Sequence, residues 1–173
     1  MKKRSLMKNL VTGGLVLVFG VVLSGCYSLK SVNLKFYDKT KPVEEYSRVY
    51  FYGDFWILSL NGDKKAYSPA PTIVIPSGEN TFELVYYRSE ANGSYTVVHS
   101  KSDPLILKYD FEPERFYYVY PMLQNRSFTT NVLDATDLSA QELRTMGFRS
   151  DIIEKIVMLR ANSEEVLHKK AGK

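Results

Sequence analysis

The run Ile73-Val74-Ile75-Pro76-Ser77-Gly78-Glu79-Asn80-Thr81-Phe82-Glu83-Leu84-Val85-Tyr86-Tyr87-Arg88 decides the fold class. β-Branched residues fill its first three positions, a Pro-Ser-Gly turn follows, and Phe82, Leu84 and Tyr86 then fall on one face of an alternating segment. Successive side chains of an extended chain point to opposite faces, so a period of two with dense β-branched and aromatic residues marks a half-buried strand. The same pattern extends in both directions. Upstream, Val32-Asn33-Leu34-Lys35-Phe36 alternates until Lys39-Thr40-Lys41-Pro42, Val49–Tyr52 and Trp56–Leu60 flank Gly53-Asp54, and Asn61-Gly62 has the chemistry of a tight turn with positive φ at both centres. Downstream, Asn92-Gly93-Ser94 turns the chain into Tyr95–His99, Pro104 starts Leu105–Tyr109, and Phe116–Tyr120 is expected to stop at Pro121, which has no N–H to donate. Seven to nine short strands with no helical period between them predict a mainly β fold, an antiparallel β-sandwich of two sheets.

The tail changes period. Ser139-Ala140-Gln141-Glu142 has capping-box spacing and predicts a helix ending near Gly147. Ser150 is the expected cap of a second helix, with Ile152, Ile153, Ile156, Val157 and Leu159 forming its apolar stripe. Asn162-Ser163-Glu164-Glu165 continues it or begins a third. The two or three short helices are expected to pack on the sheets. Leu143–Phe148 resembles the Met-Gly-Phe turn of ubiquitin-associated three-helix domains, but packing of two short helices explains it without that function.

Charge excludes one class of partner. The 173 residues carry 23 Lys+Arg and 19 Asp+Glu. Lys2, Lys3, Arg4 and Lys8 lie in the first 26 residues, which contain no acid, so the remaining 147 carry 19 charges of each sign. A nucleic-acid-binding domain needs a net basic field, and this body has none.

Those four cations precede the apolar run Leu10–Leu23 and the tetrapeptide Leu23-Ser24-Gly25-Cys26. A run of 14 residues is shorter than the roughly 20 a spanning helix needs, and a basic flank before a short apolar stretch is the layout of an export signal. Leu23-Ser24-Gly25-Cys26 resembles the lipobox of bacterial lipoproteins. The resemblance implies cleavage between Gly25 and Cys26, a diacylglycerol on Cys26, and durable attachment to a membrane, since two acyl chains hold where one is marginal. Tyr27, instead of the Asp that resembles an inner-membrane retention signal, implies the outer membrane. Cys26 is the single cysteine, so the exported body is expected to be stable without disulfides. The expected organisation is a signal peptide over 1–25, the lipidated Cys26 with a tether and first strand over 26–46, a β body over 47–133 and a helical segment over 134–173.

Leu60-Asn61-Gly62, Ile73–Phe82 and Phe116-Tyr117-Tyr118-Val119 together resemble small bacterial lipoproteins and PEGA-type modules, which implies a prealbumin-like sandwich without catalytic residues. Those families usually have His after their Gly-Glu pair, where this chain has Asn80.

Chemistry is sparse. His99 and His168 are the only histidines, and neither has a second His or a Cys at metal-ligand spacing, so no metal and no cofactor is expected. No nucleophile elbow, phosphate loop or His-Glu-x-x-His helix is present. Asp110, Glu112 and Glu114 alternate as calcium ligands could, without the Gly and bidentate acid of a dedicated loop, and read as a solvated turn. The remaining lead is aromatic: all 13 Tyr follow Cys26, and strand alternation places Tyr50, Tyr52, Tyr87 and Tyr117 as candidates for an outward face suited to a glycan or a protein. The leading expectation is therefore a lipid-anchored, non-enzymatic module of the bacterial envelope. Its rival is an envelope hydrolase or glycan-processing enzyme with carboxylates gathered from different strands.

Overall fold

Strand propensity and turn chemistry produce nine strands and two helices in the computed structural model, which describes residues 32–53, 55–64, 71–92, 96–125 and 127–172. The strands are β1 Val32–Asn33, β2 Tyr46–Phe51, β3 Phe55–Leu60, β4 Thr72–Pro76, β5 Gly78–Asn92, β6 Thr96–Lys101, β7 Leu105–Phe111, β8 Phe116–Gln124 and β9 Ser127–Asp134. A single 3₁₀ turn at Val43–Glu45 precedes β2, and helices α1 (Ala140–Thr145) and α2 (Ser150–Lys170) close the chain. Gly25 and Cys26 lie outside the described residues.

The fold is mainly β, with two sheets. One has the order β1-β4-β2-β8-β9; the other is built on the 15-residue β5, flanked by β3 on one edge and by β7 and β6 in succession on the other. Ser102 joins β6 to β7 by exchanging bonds with Tyr86: its N–H donates to the Tyr86 carbonyl and its Oγ accepts the Tyr86 N–H, both at 3.0 Å. Consecutive strands seldom pair with each other: β2, β4 and β8 belong to one sheet and β3, β5 and β7 to the other.

The expectation of wholly antiparallel sheets is corrected. β1 pairs with β4, and β2 with β8, in parallel. Each change of sheet reverses the chain across the core instead of beside its last strand, so a strand can return to its first sheet in either direction.

The inner faces share one core. Val49 and Phe51 of β2, Ile73 and Ile75 of β4, and Tyr117 and Val119 of β8 pack with Ile57, Phe82, Leu84, Tyr86 and Phe111 of the second sheet. Phe82 lies 5.0 Å from the Phe51 ring centre, and Phe111 lies 5.0 Å from that of Tyr117, both edge-on as the aromatic quadrupole favours.

The first sheet's other face is also covered. Tyr50, Phe116 and Tyr118 lie beneath Leu143 of α1 and Ile153, Ile156 and Leu159 of α2. Val166 and Leu167 continue the contact onto Val32, Tyr46 and Val74. α2 is one helix of 21 residues, about 31 Å long, enough to cross a five-stranded sheet about 20 Å wide. Nothing in Asn162–Glu165 breaks it. Its N-cap is Arg149, with no side-chain cap bond, so Ser150 is its first helical residue and not the expected cap. The predicted box at α1 is present: Ser139 Oγ accepts the Glu142 N–H at 3.2 Å while the Glu142 carboxylate accepts the Ser139 N–H at 2.8 Å.

Two turn expectations resolve differently. Asn61 (φ 50°) and Gly62 (φ 82°) form the predicted tight turn, closed by reciprocal Leu60–Asp63 backbone bonds. Pro121, in contrast, does not stop its strand; β8 continues to Gln124. Val119 presents its carbonyl to Tyr52, so Pro121, two residues on, directs its nitrogen to the same edge, where β2 has already ended at Phe51. Among the described residues the missing N–H deprives no strand of a partner, and β8 beyond Tyr120 pairs with β9 alone.

Candidate functional site

The four candidate tyrosines separate. Tyr50 is 3% exposed, with its ring 5.1 Å from Tyr118 beneath α2. Tyr117 is 2% exposed on the inter-sheet side, and its hydroxyl accepts the Glu112 N–H at 3.0 Å. Neither can face a ligand. Alternation predicts two faces but not their coverage, and β2 and β8 are central strands covered by helices on one side and a sheet on the other. Desolvation pushes the phenols of Tyr50 and Tyr117 up to about 12, and that of Tyr118 up as well. Tyr52 is half-buried at the margin of both cores.

Tyr87 remains exposed, and its companion is a residue the aromatic reading passed over. Trp56 on β3 stands opposite Val85 of β5 and so lies diagonal to Tyr87, with the rings 5.6 Å apart. Trp56 is 50% exposed and Tyr87 37%. The pair occupies the outer face of the second sheet, on which Ile106 of β7 is also exposed. The signal was present in β3: Phe55 and Ile57 point inward, so the one tryptophan between them points out.

The three alternating acids separate: Asp110 lies in β7 opposite Glu79, whereas Glu112 and Glu114 lie in the following turn, with Glu114 at φ 61°. Arg115 lines an open cleft of about 420 Å³ together with Glu112, Pro113, Glu114, Thr136 and Asp137. It pairs with Asp137 at 2.8 Å, Glu112 at 3.6 Å and Asp134 at 3.7 Å, and these anions, Asp134 foremost, raise its pKa. Ser47 Oγ donates to the Glu112 carbonyl at 2.7 Å, tying the turn to β2. The carboxylates here brace a turn around a cation.

A smaller cavity of about 60 Å³ lies between β2 and the end of α2, lined by Val43, Tyr46, Arg48, Glu114, Glu164, Leu167 and His168. Arg48 is 7% exposed. Its guanidinium donates to the Glu114 carbonyl at 3.0 Å, reaches Glu164 at 3.5 Å and lies 5.9 Å from the Phe116 ring centre. Burial lowers its pKa and Glu164 opposes that shift. These contacts use the cation for packing, and the space holds about two waters. His168 is exposed in the last turn of α2, and His99 stands opposite Ser89 in β6. Among the described residues no group of three or more His, Cys, Asp or Glu is placed to hold a metal ion.

No protein-family model, no curated protein and no solved structure matches the chain.

Proposed function

We propose that this protein is a lipid-anchored lipoprotein of the bacterial envelope, held at the outer membrane through Cys26, whose prealbumin-like or PEGA-like β-sandwich is a non-enzymatic module that binds or scaffolds an envelope glycan or protein. The leader, the tetrapeptide ending in Cys26 and the charge balance of the body support the address. The sandwich reading rests on the core shared by two sheets. The observation that carries the binding role is the exposed Trp56–Tyr87 pair on the face that α1 and α2 leave uncovered. Flat rings with polar tips stack on sugars and anchor protein contacts.

Trp56 is the only tryptophan, so its emission reports directly on this surface. Titration with solubilised envelope glycan fragments or envelope proteins is expected to shift that emission saturably in the native protein and not in Tyr87→Ser. An emission unchanged by either class of ligand overturns the binding role. Palmitate incorporation that persists in Cys26→Ser overturns the anchor at that residue.

A further inference from the structure

The strand registers place one end of the first sheet toward the anchor. Val32 of β1 is level with Thr72 of β4, Thr72 with Tyr50 of β2, and Tyr50 with Tyr118 of β8. β1 runs parallel to β4, which is antiparallel to β2, and β2 is parallel to β8. β1 and β8 therefore run in opposite directions, and the chain joins β1 from the same end toward which β8 advances.

β8 does not stop at that level. It continues from Tyr118 to Gln124, about 20 Å at strand rise, and beyond Tyr120 its one partner among the described residues is β9. Five residues separate Cys26 from Val32, and the six steps between them have a contour of at most about 22 Å. The lateral offset from β1 to β8 is three strand spacings, about 14 Å. A lipid-linked Cys26 thus holds the domain at a distance the hairpin can span.

The chemistry of the hairpin fits that position. From Phe116 to Leu133, Arg126 is the only charged residue, in a chain whose charged fraction is 24%. Near its tip Met122 is 43% and Leu123 is 63% exposed, on alternate faces of β8. Phe128, opposite Leu123, packs on Tyr86 of the second sheet, so one ring of the ribbon joins the core while Met122 and Leu123 stay in water. Exposed apolar side chains on a ribbon with a single cation gain free energy by leaving water, and one cation in that stretch of sequence is compatible with anionic headgroups.

We infer that the tip of the β8–β9 hairpin is a second membrane contact, inserting Met122 and Leu123 into the headgroup region of the bilayer that holds the acylated Cys26. This rests on the anchoring reading above. The contact orients the domain with its β8–β9 end toward lipid and leaves the Glu112–Arg115 turn, at the opposite end of β8, facing away.

Cys26 is the sole native cysteine, so in the acylated full chain an introduced thiol is the only free one. Leu123→Cys and Lys41→Cys, the latter before the start of β2 at the far end, are labelled with an environment-sensitive fluorophore. The proteins are reconstituted in phosphatidylethanolamine–phosphatidylglycerol vesicles containing nitroxide-labelled lipid. The label at 123 is expected to shift to the blue and to be quenched at least threefold more than the label at 41. A protein that is acylated and floats with the vesicles, yet whose label at 123 is no more quenched than that at 41, overturns the hairpin contact and leaves the anchor standing. An unmodified Cys26 by mass spectrometry overturns the anchor and removes the fixed point from which the hairpin's reach was measured, so both fall.

Discussion

Replacing Arg48 separates a packing role from an ionic one. Arg48→Met keeps the aliphatic stem beside Phe116 and removes the charge together with its bond to the Glu114 carbonyl. The bond is worth about 1.5–3 kcal/mol, but the desolvation of a cation whose nearest anion is 3.5 Å away and 57% exposed offsets much of that, so the variant is expected within about 1 kcal/mol of the native protein. Arg48→Ala also loses two buried methylenes, about 1.6 kcal/mol, and leaves a cavity costing about 1–2 kcal/mol more. It is therefore expected to be about 3 kcal/mol less stable. Glu164→Gln touches a side chain that water already reaches and costs under about 1 kcal/mol. Urea unfolding followed by circular dichroism, with unchanged m-values, measures all three. If Arg48→Met loses as much as Arg48→Ala, or Glu164→Gln costs about 3 kcal/mol, the charge and not the stem governs the site and the packing account is wrong.

Three further outcomes are expected. Because burial raises the Tyr50 and Tyr117 phenols to about 12 in the folded state, against about 10 when unfolded, stability is fully present below pH ~10 and is lost as pH rises toward 12; absorbance at 295 nm during alkaline titration, with and without urea, is expected to resolve this late-ionising set. Ile156→Ala, fully buried between α2 and the first sheet, is expected to cost about 2–4 kcal/mol by urea unfolding, whereas Glu154→Ala on the exposed side of the same helix stays within about 0.5 kcal/mol. Ser139→Ala is expected to cost about 1 kcal/mol and, by removing the hydroxyl's bond to the Glu142 carboxylate while keeping the backbone one, to bring that carboxyl part of the way back up toward the usual carboxylate range; carbon-13 titration of the Glu142 carboxyl reads it, and an unmoved pKa refutes the capping account.

The alternation of Phe82, Leu84 and Tyr86, the Asn61-Gly62 turn and the Ser139–Glu142 box were legible as local chemistry, because each depends on neighbours within a few residues. So was the outward direction of Trp56, although aromatic density drew attention to the tyrosines instead. The burial of Tyr50 and Tyr117 was not legible. A strand's sequence states which side chains share a face, but what lies over that face is decided by elements far along the chain, here Phe111 and Ile156. Pro121 shows the same limit, since whether a missing N–H matters depends on where β2 ends.

The sequence by itself determined the strand-rich class, the Asn61-Gly62 turn, the first helix cap, the balanced charge of the body and the expectation of an acylated Cys26, all of which follow from composition or from residues near one another in the chain. Tertiary structure alone decided the parallel pairings, the helix laid across the first sheet, and the emergence of the β8–β9 hairpin on the side where the chain joins β1. Strand pairing and surface coverage are relations between distant segments, fixed by which apolar faces can be buried together, and no local pattern encodes them.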